Sequence, residues 1–367
     1  MTDDGLRIYL IGAGYIAREH AAAIPLLPGA ASVELAVADP SPVAREGFLE
    51  RFPGTRVVAD ATELLAEPAR ATDIVIVATP PFTHHDLTVR ALESGRHVLC
   101  EKPLAMDVAE AEAMVAAART AGRLLGDCSS RFVGLPTTRM VRELVRAGDL
   151  GPLSQATFVH RARRARTGID YLPETTWFLD SRRSGGGVLM DWGCYDLTTL
   201  IDVLRPVQVD VASAWSVNPE IAVDLPPGVV YDTDQHVGAS LVFHREDGGR
   251  VPVVYERAAA THGEERQVVE IEGRRGAVRW DWLDWVGDGS VTITTDRDGQ
   301  PAEMTHHPGR PSIPAHQRPL IAFATMVRGE PSDSVTGEAA LFSFRCLRAI
   351  QDAARTGQPR TVTLGEV

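Results

Sequence analysis

"LRIYLIGAGYIAREHAAAI", residues 6 to 24, decides the fold class. Leu6 to Ile11 is an apolar run of strand length, and the alanine-rich stretch beyond the glycines has the composition of a helix. Between them, Gly12-Ala13-Gly14-Tyr15-Ile16-Ala17 is a G-x-G-x-x-A form of the dinucleotide fingerprint. The small residues have separate tasks. Gly12 permits the tight turn, Gly14 lets backbone approach a pyrophosphate, and Ala17 lets strand and helix pack closely. A pyrophosphate in such a turn rests on the N–H groups of the helix N-terminus.

The following sequence extends the pattern. An apolar run from Val33 ends in Asp39, about where an acid meets the adenosine ribose. A carboxylate there accepts from the ribose hydroxyls and repels a 2′-phosphate, which favours NAD and leaves NADP as the alternative. A plainer reading is an aspartate that ends a strand in "ADPSP". Strands over 56–60, 73–78, 97–100 and 123–127 alternate with helices near 61–67, 83–94 and 107–120. Thr79-Pro80-Pro81 and Glu101-Lys102-Pro103 stop two of these strands at the carboxyl end, the edge where ligands bind in open α/β sheets. Residues 1–128 therefore read as a Rossmann domain with a doubly wound parallel sheet.

From Ser129 the texture changes. A helix ends at Gly148, "PLSQATFVHRARRAR" forms a strand, and strand-like runs follow at 207–217, 237–244, 250–258, 266–272, 276–282 and 290–295. A last helix spans 337–357. Residues 129–367 read as an α+β domain with a large, open, mostly antiparallel sheet. "HRARRAR" (160–166) is taken as a solvated strand and loop surface, with a grip on a phosphate or carboxylate as the alternative. The Trp-rich "VRWDWLDWV" (278–286) is taken as sheet core or a subunit contact.

Composition narrows the function. The 367 residues are 44% hydrophobic and 23% charged, with a formal net charge of −12, which excludes any general attraction to nucleic acid or anionic membrane. No apolar stretch approaches the roughly 20 residues that span a bilayer, and the acidic start lacks a secretion signal, so the expected location is cytoplasmic. Cys100, Cys128, Cys194 and Cys346 are scattered without ligand spacing; buried thiols are expected and no metal site. One further stretch stands out, "GGGVLMDWGCYDL" (185–197). On a helix Asp191 and Tyr195 share a face, either as a satisfied core pair or aimed into a cavity.

Four features together resemble the Gfo/Idh/MocA family (glucose-fructose oxidoreductase / inositol dehydrogenase). They are "GAGYIA", "TPPFTHHDLTVRALESGRHVLCEKPLA", "RFVGLPTTRMVRELVRAGDLGPL" and "GGGVLMDWGCYDL", and they extend along nearly the whole chain. The resemblance implies an NAD(P)-dependent dehydrogenase or reductase. Such an enzyme moves a hydride between nicotinamide and a hydroxyl or ketone carbon of a sugar, cyclitol or sugar derivative. A diol dehydrogenase on a non-sugar substrate and a non-catalytic NAD(P)- or sugar-sensing regulator are alternatives. By position, Gly12, Gly14, Tyr15, Ile16 and Ala17 line the pyrophosphate loop, Asp39 meets the ribose, and Thr79, Pro80, His84, Glu101 and Lys102 surround the nicotinamide half. The catalytic set maps onto Lys102, Asp191 and Tyr195, where many members carry histidine in place of this tyrosine. Arg131 and Trp177 join those three as expected substrate contacts. Tyr195 is the expected proton carrier with Lys102 as the alternative, and Asp191 the orienting group. The implied partner is a polyol or keto-sugar, and the implied assembly is a homodimer or homotetramer through the C-terminal sheet.

Overall fold

Ile74 to Val77 are four branched aliphatic residues in a row, and all four are buried, as expected of a strand covered on both faces. The structure is a computed structural model that describes residues 5–163, 175–218, 225, 227–283 and 289–365. It contains two compact units. One is the chain up to Arg131 together with Ile313–Leu341; the other is Phe132–Ser312 with the chain from Phe342 onward.

In the first unit β1 (Arg7–Ile11), β2 (Glu34–Ala38), β3 (Arg56–Val58), β4 (Ile74–Val77), β5 (His97–Cys100) and β6 (Leu125–Asp127) run parallel in the order 6-5-4-1-2-3. Strand order reverses between β1 and β4, and there the glycine loop and the Thr79-Pro80-Pro81 turn follow the strand ends, as the doubly wound reading requires. A short antiparallel strand, Val335–Thr336, adds to the edge at β6 and was not expected from the sequence.

The segment Ile313–Leu341 lies in the span that the sequence assigns to the second domain, yet it folds with the first. Hydrophobic burial explains this. The helix Arg318–Val327 places Leu320, Phe323 and Ala324 in the core of the parallel sheet. β6 accommodates them with a glycine: a Cβ on Gly126 would stand 2.5 Å from the Phe323 ring.

Among the described residues the second unit is built on nine strands: β7 (Leu153–Arg163), β8 (Pro206–Val217), β9 (His236–Arg245), β10 (Arg250–Thr261), β11 (Arg266–Gly273), β12 (Gly276–Trp280), β13 (Val291–Arg297), β14 (Gln300–His306) and β16 (Arg360–Thr363), the label β15 being kept for Val335–Thr336. Their order is 14-13-12-11-7-10-9-8-16. Only the β7–β10 pair is parallel among these neighbours. The helix Cys194–Leu204 is tied to one face, where Tyr255 bonds Asp196 and Trp282 bonds Thr199. Trp280 and Trp282 are buried, as the sheet-core reading of the Trp-rich run requires; its residues 284–286 lie outside the described residues. None of the four cysteines is in a disulfide and all are buried. No helix among the described residues is long and apolar enough to cross a membrane.

Because Phe323 holds the returning segment in the parallel-sheet core, Phe323→Ala is expected to destabilise the protein by about 3–5 kcal/mol. Urea denaturation followed by tryptophan fluorescence and far-UV circular dichroism checks the value.

Candidate active site

The glycine loop is shaped by what surrounds it. Gly12 has φ +107, and a Cβ there would overlap the Ala78 carbonyl oxygen. A side chain is excluded on both counts. Above Gly14 nothing lies within 4 Å of where a Cβ would be, and no side chain caps the N-terminus of the helix Tyr15–Ala23. Such a loop has room for a diphosphate at a helix N-terminus. Ala17 is fully buried, Ile16 packs against the same core, and Tyr15 remains 48% exposed. The Asp39 carboxylate accepts from Ala13 N–H and Ser41 N–H, both at 2.8 Å, so the acid at the end of β2 is fixed beside the loop.

Two turns complete this half. Thr83 donates to the Pro80 carbonyl at 2.8 Å, so Thr79, 2.7 Å from the Thr83 hydroxyl, donates to it. His84 is fully buried, and its ring nitrogens face the carbonyls of Thr79 and Pro103 at 2.9 Å each. It links the turn after β4 to the turn after β5.

Lys102 leaves β5 beside a buried acid. Glu101 accepts from Arg131 Nη2 at 3.0 Å, pairs with His20 Nε2 at 2.9 Å, and accepts from the Lys102 N–H at 3.1 Å. Burial would push this carboxyl up; the Arg131 guanidinium and His20 outweigh it and hold it well below the usual carboxylate range. Ligand atoms of His20, Glu101 and Cys128 come within 4.8 Å of one another. The cluster is nevertheless poorly suited to a metal, because Glu101 already carries Arg131 and burial lifts the Cys128 thiol well above its ordinary value. His316, which no motif marked, packs edge-on against Tyr15 with ring centroids 5.9 Å apart. Burial, then Arg131, lower its pKa to about 4, so it stands beside the cofactor loop as a neutral ring.

In the second unit Asp191 lies in a π-helical turn, Leu189–Gly193, that leads into the helix Cys194–Leu204 carrying Tyr195. Single π-turns occur mostly within helices and often at functional sites. Tyr195 is buried, its ring edge-on to Phe132 at 4.9 Å and to Trp192 at 5.8 Å. Asp191 is half-buried. Trp177 stacks on Phe178 at 4.0 Å.

A profile of an oxidoreductase family with an NAD-binding Rossmann fold (GFO_IDH_MocA) matches residues 6–126, and the GFO/IDH/MocA C-terminal domain matches residues 138–279. The chain belongs to the Gfo/Idh/MocA family. The 1,5-anhydro-D-fructose reductase of Ensifer adhaerens is 27% identical over 318 residues, 84% of each chain. The dTDP-3,4-didehydro-2,6-dideoxy-alpha-D-glucose 3-reductase of Saccharopolyspora spinosa is 32% identical over 269 residues, 70% of this chain and 76% of its own. A levoglucosan dehydrogenase solved with NADH shares the fold, with a TM-score of 0.78 at 19% identity over 99% of this chain and 100% of that one. This Gfo/Idh/MocA member is an NAD(P)-dependent oxidoreductase acting on CH–OH groups.

Within this enzyme Gly187, the last glycine of the run 185–187, is required by packing. A Cβ on Gly187 would overlap the Asp234 carbonyl, which accepts from Val188 N–H at 2.8 Å. The Asp234 carboxylate accepts from Gly187 and Leu189 N–H at 3.0 and 3.4 Å, capping the turn. Asp234 is remote in sequence and no motif signalled it. Arg161 of the basic run pairs with Glu256 at 2.6 Å, as a structural surface residue would; Arg164 to Arg166 lie outside the described residues.

Glu101→Gln is expected to cost about 3–5 kcal/mol near neutral pH, the range for breaking a buried ion pair. Since the folded pKa lies below the unfolded value of about 4.3, the Glu101 contribution is complete above that value and is lost as the pH falls below it. Urea unfolding at pH 7 and at about pH 3.5 should show the gap between the variant and the wild type narrowing.

Proposed function

We propose that this enzyme interconverts a hydroxyl and a ketone on a sugar, cyclitol or sugar derivative, with NAD as the preferred cofactor. The carrying observation is that Asp191, on the π-turn, and Tyr195, at the start of the helix it leads into, lie on one stretch that Asp234 and Asp196 anchor. Asp234 accepts from the N–H groups of Gly187 and Leu189 before Asp191, and Asp196, directly after Tyr195, binds Arg257 of the sheet, so the stretch is anchored on both sides of the pair. The named relatives support the substrate class, since they act on anhydrosugars and deoxysugars by name.

In this reading the glycine loop, Gly12 to Ala17, receives the diphosphate, Asp39 the adenosine ribose, and Thr79 and Pro80 the nicotinamide half. When bound, the nicotinamide supplies or accepts the hydride. Tyr195 delivers a proton to the ketone oxygen in reduction and removes it in oxidation, as a general acid and base. Lys102 polarises the same oxygen, and Asp191 orients a substrate hydroxyl through a charge-assisted hydrogen bond. Arg131 contributes by holding Glu101, and Trp177 offers an aromatic wall to the substrate. The enzyme acts in the cytoplasm as a homodimer or homotetramer through the nine-stranded sheet, whose strands expose Trp215 and Val254 at 45% and 47%.

A nicotinamide-absorbance screen of polyols, keto-sugars and nucleotide-linked sugars with NAD and NADP tests the reading. Tyr195→Phe is expected to lower kcat by about 10²–10⁴-fold, the usual weight of a general acid or base. Near-full turnover in Tyr195→Phe, with loss in Lys102→Ala, moves the proton to Lys102. Tight NAD binding without turnover of any substrate refutes the enzymatic reading, and an intrinsic preference for NADP refutes the role of Asp39.

A further inference from the structure

The turn that carries Asp191 and Tyr195 rests on a closed polar cluster that the proposed chemistry does not use. Arg257 Nε donates to Asp196 Oδ2 at 2.8 Å, its Nη2 donates to Asp196 Oδ1, and its Nη1 donates to His160 Nδ1. The Tyr255 hydroxyl donates to Asp196 Oδ2 at 2.9 Å. Asp196, Tyr255 and Arg257 are 0%, 1% and 2% exposed. The guanidinium also lies against the rings of Phe158, Trp192 and Trp282, 5.4–5.7 Å from each centroid.

Three of these groups reach the turn itself. Trp192 belongs to it, and Asp196 follows Tyr195 directly. The Tyr255 hydroxyl sits so close beneath Gly193 that a Cβ there would lie 2.8 Å from it. We propose that Arg257 is a positioning residue which, through Asp196, Trp192 and Tyr255, fixes the π-helical spacing between Asp191 and Tyr195. The inference rests on the roles assigned to those two residues above. A π-turn is rare because i→i+5 bonding is less favourable than i→i+4, so tertiary contacts must select it. Stability alone does not account for the cluster, because a buried ion pair contributes little net stability compared with an apolar replacement. His160 fits the same picture. Burial and the adjacent Arg257 lower its pKa to about 3, so it accepts at Nδ1 as a neutral ring and adds no charge to the buried pair.

The test uses the full chain. The double variant Asp196→Asn/Arg257→Gln removes both buried charges together, whereas either single change strands one. Tyr255→Phe deletes only the hydroxyl between Asp196 and Gly193. Each variant is followed by hydrogen–deuterium exchange of the peptide spanning 187–196, by thermal melting, by NADH binding, and by steady-state kinetics on a substrate from the screen. The double variant is expected to melt near the wild type and keep its NADH affinity, while kcat falls by about 10- to 100-fold, as for a displaced catalytic group. Exchange in 187–196 should rise by about tenfold, with β9 unchanged. Tyr255→Phe should show the same pattern, with a loss of about three- to tenfold, and it decides the matter if the double variant does not fold. Wild-type kcat together with wild-type exchange in 187–196 overturns the inference. A wild-type protein inactive on every substrate refutes the proposed function instead, and the exchange data still report on whether the cluster fixes the turn.

Discussion

The Glu101 carboxylate ties together three parts of the first unit. His20 reaches it from the helix that begins at the cofactor loop, Arg131 from the last residues before the second unit, and the Lys102 N–H from the end of β5. Removing a carboxylate from water is costly unless its partners restore what hydration gave. Here a guanidinium, an imidazole and a backbone N–H do so. The direction in which Lys102 departs from the sheet is therefore set by a buried charge. A long flexible side chain gains precision only when the backbone beneath it is fixed, and this arrangement fixes it.

The second unit solves a similar problem with two different acids. Asp234 satisfies N–H groups at the start of the turn before Asp191, where a helix start leaves donors unpaired. Asp196 neutralises Arg257 one residue beyond Tyr195. The stretch is therefore held from both ends by carboxylates, half-buried Asp234 and buried Asp196, while the residues assigned to chemistry lie between them.

Most of the fold was legible in the sequence because its signals are local. A glycine loop between an apolar strand and a helix, and strands ended by Thr79-Pro80-Pro81 or Glu101-Lys102-Pro103, need no distant partner to be recognised. The groups missed are those whose meaning depends on one. Gly187 is required by the Asp234 backbone, and the segment Ile313–Leu341 returns to the first unit because Gly126 leaves space for Phe323. The π-turn was invisible for the same reason: Leu189 to Gly193 fits an α-helix equally well until Tyr255 is brought beneath Gly193. One weak signal was present. Asp196 in the apolar run "CYDLTTL" and Arg257 in the strand "VVYERAAA" are charges at inward positions, and buried charges come in pairs.

The NAD preference proposed above rests on how firmly Asp39 is held. Each of its oxygens spends one lone pair on a backbone N–H, Ala13 to one and Ser41 to the other, and keeps further lone pairs for ribose hydroxyls. A 2′-phosphate would meet a fixed negative charge, and the carboxylate could turn away only by releasing the glycine loop. An arginine nearby is the usual means of accepting that phosphate. Arg45 is close enough to serve, but its guanidinium donates to the carbonyls of Asp39 and Pro40 at 2.7 and 3.0 Å. That cation is thus engaged in stabilising the backbone of Asp39, the acid to which the proposed NAD preference is assigned. Reversing the preference therefore needs two changes, removal of the Asp39 charge and release of Arg45 from the carbonyls it holds.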